Sequence, residues 1–221
     1  SIYYDYDTRL EVTALATKGD KLYSVSHDRR ELRVWSTDNQ QHLKQMVNDK
    51  HQQQFEGIAL AKNADVGITW DRLNEVQLWD LSTGKFQAAF QPDTSSVDII
   101  SAAISPTGHL VVIGLSNGVS EVWNTENKAL IHRLPKRKNA IFDITFSDDG
   151  TTIALASSHT TLWTTHTGEH LATLKTPRGH AEKVYFNEKA NQLIVGYRIE
   201  IGEQLVPHHY IQYWDIASTQ V

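Results

Sequence analysis

Histidines and carboxylates carry most of the reactive potential of this sequence, and their spacing limits what they can do. His208 and His209 stand side by side in "GEQLVPHHYIQYWD" (202–215), and His166 and His170 are separated by three residues. Two imidazoles at that second spacing occur in zinc sites. Here they straddle the turn "THTGE", with no carboxylate motif alongside, so the pattern does not assign a metal. The chain has no cysteine, which removes thiolate ligands, cysteine nucleophiles and disulfides. It also lacks a His-Glu-x-x-His motif, a Gly-rich phosphate loop and a Gly-x-Ser-x-Gly elbow. No metal, no cofactor and no catalytic residue follow from the motifs.

Composition narrows the class further. The 221 residues are 40% hydrophobic and 21% charged, ordinary values for a chain with a sizeable core. No apolar run approaches the roughly 20 residues of a membrane helix, and no signal segment opens the chain. The net charge of −5 argues against general affinity for nucleic acid. The first residue is Ser1, which fits either a processed chain or a piece of a longer one.

The elements that position these residues are revealed by the tryptophans. Trp35, Trp79, Trp123, Trp163 and Trp214 are spaced by 44, 44, 40 and 51 residues. Each follows an aliphatic residue or a tyrosine, and each precedes a short polar turn. Upstream of each lies one short apolar run ("KLYSVS", "DVGITW", "HLVVIGL", "TIALAS", "QLIVGY") and before it another ("VTALA", "FEGIALA", "IISAAIS", "IFDITFS", "VYFN"). A fourth run often follows the turn, as in "KFQAAF", "ALIHRL" and "HLATL". Gly and Asp punctuate the connections, and no stretch keeps a helical period. The unit is therefore four short strands, here named a to d, in an all-β chain. A sheet of that size cannot bury both faces alone, and radial repetition buries each against the next.

With these residues the chain resembles the WD40-repeat β-propellers. The strand-c signature stands whole at Leu78-Trp79-Asp80 and Tyr213-Trp214-Asp215, and as Trp-Ser, Trp-Asn and Trp-Thr elsewhere. The Gly-His pair that precedes strand a in the family occurs once, as Gly179-His180, and "ISPTG" (104–108) and "FSDDG" (146–150) resemble the family's a–b turn. The resemblance implies a β-propeller of four-stranded antiparallel blades, with blades at about 12–50, 55–91, 97–134, 140–175 and 182–221. Residues 2–6 are expected to supply strand d of the last or of a preceding blade. The visible repeats then form either a closed small ring or a fragment of a larger, seven-bladed one. Structural roles fall to Trp35, Trp79, Asp80, Trp123, Trp163, Trp214, Asp215 and His180; blade five offers His180 no hydroxyl on strand b.

The resemblance also implies a function, that of a non-enzymatic scaffold presenting loops to a protein or peptide. The d–a and b–c loops share one face, called the top. There "LPKRKNA" brings Lys136, Arg137 and Lys138, and "TPRGHAEK" brings Arg178, His180 and Lys183. Arg29, Arg30 and Arg72 come from b–c loops of the same face, and Trp70 stands at the top end of a strand b. Such a sector suits an acidic or phosphorylated segment, with nucleic acid and membrane excluded as partners. The wide spacing before Trp214 places an insertion in the b–c connection of blade five. His208 and His209 in strand c then point to opposite sides of the sheet and would make a partner contact sensitive to pH. Two alternatives come from other classes: a sensor or autoinhibitory module of a larger protein, and a propeller hydrolase or lactonase. For the last, Asp143 and Glu56 are the only acids beside strand a.

Overall fold

The computed structural model describes residues 12–26, 31–48, 54–71, 75–92, 97–175, 179–187, 191–201 and 206–216. Short runs rich in Val, Ile, Leu and Thr, broken by Gly- and Asp-containing turns, form strands and nothing else. The first sheet comprises β1 (Val12–Lys18), β2 (Lys21–Ser26), β3 (Glu31–Ser36) and β4 (His42–Val47). The second holds β5 (Gly57–Leu60), β6 (Val66–Trp70), β7 (Val76–Asp80) and β8 (Lys85–Phe90). The third holds β9 (Ile99–Ile104), β10 (Leu110–Leu115), β11 (Ser120–Asn124) and β12 (Leu130–Leu134). The fourth holds β13 (Asp143–Phe146), β14 (Thr152–Ala156), β15 (Thr160–Thr164) and β16 (His170–Leu174). The last has three strands, β17 (His180–Asn187), β18 (Gln192–Ile201) and β19 (Val206–Asp215). Every sheet is an antiparallel meander in chain order, and this is the all-β, blade-by-blade architecture the repeat implies. The segment 2–6 lies outside the described residues.

Register repeats with the sequence. Each strand-c tryptophan pairs through strand b with one strand-a residue: Thr17 for Trp35, Leu60 for Trp79, Ile104 for Trp123, Phe146 for Trp163 and Phe186 for Trp214. Because side chains alternate along a strand, one face of each sheet carries the tryptophan and meets the preceding sheet, while the other meets the next. Trp79, Ile58 and Phe55 of the second sheet pack on Tyr23, Val25, Leu32 and Val34 of the first. Ile144 and Trp163 of the fourth pack on Ala103, Val112 and Val122 of the third. Each fully buried aliphatic side chain contributes about 1.5–3 kcal/mol, so these dry seams hold the blades in place.

Polar ties reinforce the seams. The Lys18 Nζ donates to the carbonyls of Ala61 and Ala64, both at 2.7 Å, in the next a–b turn. Lys44 donates to the Leu81 carbonyl at 2.6 Å, and the His132 Nε2 lies 2.8 Å from the His166 carbonyl, each in the following c–d turn. Lys62 pairs with Asp148 across two sheets. The first strands β1, β5, β9, β13 and β17 line a concavity of about 900 Å3. Among the described residues the arc does not close on itself: Tyr185, Ile211 and Tyr213 of the last sheet are 61–67% exposed.

Candidate protein-interaction site

The loop that joins β12 to β13 carries the basic run, and its backbone is fixed at both ends. The Arg137 N–H donates to the Gly118 carbonyl at 2.8 Å, and the Ile141 N–H donates to Leu115 at 3.2 Å. Gly118 has φ +85°, and a Cβ there would stand 2.3 Å from the Arg137 carbonyl oxygen, so only glycine lets the loop settle on this turn. The three basic side chains then part company. Lys136 and Lys138 are exposed. Arg137 turns inward, half-buried, with its guanidinium 4.7 Å from the centre of the Trp163 ring. Burial pulls Arg137 below its ordinary pKa. The run is thus an alternation of two presented charges around an anchor, which three consecutive basic letters do not announce.

The start of β17 lies beside the basic loop. Ser157 in the turn after β14 donates its hydroxyl to the Asn139 carbonyl at 3.0 Å and accepts at its own carbonyl from the Ala181 N–H at 2.8 Å. One residue therefore holds the entries to the fourth and last sheets together. However, His180 and Lys183 belong to β17 rather than to the loop. The Lys183 Nζ lies 3.6 Å from Asp143. The other Asp143 oxygen accepts from the Val184 N–H at 3.0 Å, tying β13 to β17. Burial raises the Asp143 pKa, with Lys183 and the Val184 N–H opposing. Arg29, Arg30, Arg72 and Arg178 lie outside the described residues.

Trp70 is half-buried beside the concavity and lies over Gly57, its partner across β5 and β6. The repeat tryptophans find acceptors in two ways. Trp35 and Trp79 donate to strand-b hydroxyls, Ser24 and Thr69, each at 2.9 Å. Trp123 donates to Glu121 at 3.1 Å and Trp163 to Thr161 at 2.9 Å, both two residues back on the same strand. Asp80 holds the c–d turn by accepting from the Ser82 and Thr83 N–H groups and the Ser82 hydroxyl, which depress its pKa to about 2. Trp214 packs into the seam with the fourth sheet; Asp215 closes β19.

The insertion near the end is a hairpin of two ten-residue strands, β18 and β19, extending strand b to Ile201, beyond Tyr197 where its apolar run ends. His208 and His209 pair with Ile199 and Arg198 and so lie on opposite faces. His208 stands 6.5 Å from the Tyr210 ring. The His209 Nδ1 is 3.6 Å from Glu182, which also meets the His180 Nε2 at 3.3 Å and Arg198 at 3.9 Å. Glu182 and Arg198 gave no signal in the sequence, because β17 and β18 run past the apolar runs "VYFN" and "QLIVGY" that mark them, and only these extensions set Glu182 beside the histidines and Arg198. His166 and His170 diverge: His170 donates to or accepts from Thr173 at 2.8 Å and meets Trp163 edge-on. Among the described residues no three acids or histidines are grouped to hold a metal.

Comparison with known proteins agrees with this geometry. The family described as NWD2 C-terminal beta-propeller matches residues 46–197, more than half of the chain. The chain belongs to the NWD2 C-terminal beta-propeller family. Over 79 residues, 36% of its length, this propeller is also 29% identical to the protein called pre-mRNA-processing factor 19 homolog 2 of Arabidopsis thaliana, and the aligned part covers 15% of that protein. The family match runs from the end of β4 into β18, so it spans the basic loop and the whole of the second, third and fourth sheets. A WD40-repeat propeller of this kind is in general a protein-interaction module.

Proposed function

We propose that the chain is a non-enzymatic interaction platform whose top-face sector at Lys136 and Lys138 takes an acidic or phosphorylated segment of a protein partner. One observation carries the reading: Arg137 is anchored over Trp163 while the flanking lysines are exposed on a backbone fixed to Gly118 and Leu115. A pre-organised loop loses little conformational entropy on binding, which favours affinity for a complementary charge. The occupation of Asp143 by the Val184 N–H and Lys183 supports a structural role for the acid beside the concavity.

The test is titration with a fluorescent oligoglutamate peptide and a phosphoserine peptide at low and moderate salt. Reversing Lys136 and Lys138 to glutamate together, with Arg137 kept, should weaken binding at least tenfold and remove its salt dependence. Equal affinity in the double variant, or no binding of either peptide by the parent, overturns the placement.

A further inference from the structure

Arginines in this molecule pair with glutamates, and Arg137 breaks the pattern. Arg33 pairs with Glu31, Arg133 meets Glu121 at 2.7 and 3.0 Å, and Arg198 lies 3.9 Å from Glu182. No carboxylate or carbonyl among the described residues meets the Arg137 side chain, whose Nε is buried without a hydrogen-bond partner. Ser120 does not supply the missing acceptor. It shares with Val122 the face of β11 that meets Trp163, it is 1% exposed, and its own hydroxyl has no partner. Burial lowers the Arg137 pKa, and no carboxylate among the described residues acts against it.

A half-desolvated cation without a counter-ion costs free energy. The chain nevertheless holds this one from two sides. The Arg137 N–H donates to the Gly118 carbonyl, and the guanidinium lies over the Trp163 ring, which is itself fixed by its bond to Thr161. The ring occupies one face of the guanidinium and leaves its edge to hydrogen-bond. Of the three nitrogens only Nε is closed off without a partner. The two Nη nitrogens form an outer fork of N–H donors, with Lys136 and Lys138 exposed on either side.

Such a fork matches two oxygens of one oxyanion. A carboxylate offers two oxygens and a single charge, and the fork alone uses both. A phosphate monoester carries about −1.5 to −2 charges and three terminal oxygens, so charge and an oxygen remain for the lysines. Resting on the interaction-platform reading of this loop, we propose that Arg137 is the specificity-determining residue of the sector: its Nη fork takes two oxygens of a phosphate monoester on the partner segment, while Lys136 and Lys138 compensate the remaining charge. The lysines draw in any acidic segment, and Arg137 selects the phosphorylated one.

Fluorescence anisotropy at low salt tests the assignment with one glycine-serine peptide carrying serine, glutamate or phosphoserine at its centre. The parent should bind the phosphoserine form about tenfold tighter than the glutamate form, and the serine form least. Arg137→Lys keeps the charge but removes the planar fork. It should bring the two charged forms to within about threefold of each other, by weakening the phosphoserine form. Lys136→Glu together with Lys138→Glu should weaken both forms and leave the preference in place. In the parent, the Arg137 Nε–H resonance in a nitrogen-15 spectrum should shift as phosphoserine peptide is added, a readout that needs no variant to fold. Equal binding of the two charged forms by the parent overturns the proposal. So does a folded Arg137→Lys variant that keeps the full preference, or an Arg137 resonance unmoved at saturation. If the double lysine variant is still weakened in those cases, the platform reading stands with Arg137 as its anchor alone. A double lysine variant of parental affinity overturns the platform reading, and this inference with it.

Discussion

Replacing Thr69 by valine removes the acceptor of a hydrogen bond while keeping shape and volume nearly unchanged. The Trp79 indole N–H donates to Thr69 Oγ1 at 2.9 Å, and both residues are 0% exposed. With no water able to substitute, the donor is left unsatisfied, at a cost of about 1–3 kcal/mol. For a chain of this size each kcal/mol lowers the melting temperature by about 2–4 °C, so a central value of ~2 kcal/mol becomes about 4–8 °C. The first sheet supplies the control. Trp35 donates to Ser24 at the same 2.9 Å, but that tryptophan is half-buried and Ser24 is 7% exposed. Water can replace the serine there, so Ser24→Ala should cost less than about 1 kcal/mol. Urea unfolding of the parent and both variants measures the difference. Equal losses at the two sites would refute the argument, because burial would then not set the worth of the bond; so would a Thr69→Val variant within about 0.5 kcal/mol of the parent.

Gly57→Ala should destabilise by about 1–3 kcal/mol through overpacking, since its Cβ would stand 2.0 Å from the Trp70 ring, and Trp70→Leu in the same chain should recover part of the loss in a melting assay. Arg137→Ala should cost about 0.5–2 kcal/mol through the lost contact with Trp163, whereas Lys136→Ala and Lys138→Ala should leave stability unchanged. The Asp80 carboxylate is held at about 2 against an ordinary 3.8, so its contribution is present above pH ~4 and lost as pH falls through about 2; a carbon-13 titration of Asp80 with its midpoint near 3.8 would contradict the turn geometry. Asp143 has the opposite sign: its raised pKa means that folding binds the proton, so its carboxylate costs stability as pH rises above 3.8. Asp143→Asn, which keeps an acceptor for the Val184 N–H, should therefore gain on the parent between acid and neutral pH in denaturant titrations, while Asp143→Ala should lose about 1–3 kcal/mol at neutral pH.

The repeat was legible because it is local. A strand needs only alternation and a bounding turn, and tryptophans at near-constant spacing mark strand c in every sheet. The opposite orientation of His208 and His209 followed from strand geometry alone. The meaning of the basic run was less legible. "KRK" reads as three equal charges, yet Arg137 lies over a tryptophan that comes 26 positions later and belongs to the next sheet. His180 had no hydroxyl to meet on strand b, and its carboxylate partner, Glu182, was hidden because β17 begins at His180, ahead of the apolar run "VYFN" that marks strand a.

What the sequence determines by itself is the blade: four strands, their turns, and which residues face one side of the sheet or the other. That information is carried by neighbours a few positions apart. What only the tertiary structure decides is the fate of each face. Leu15 and Ile144 occupy the same place in the repeat, and one is 59% exposed while the other is 7% exposed. Periodicity says that such a residue seeks cover; whether a neighbouring sheet stands there to give it depends on packing between units distant in the chain.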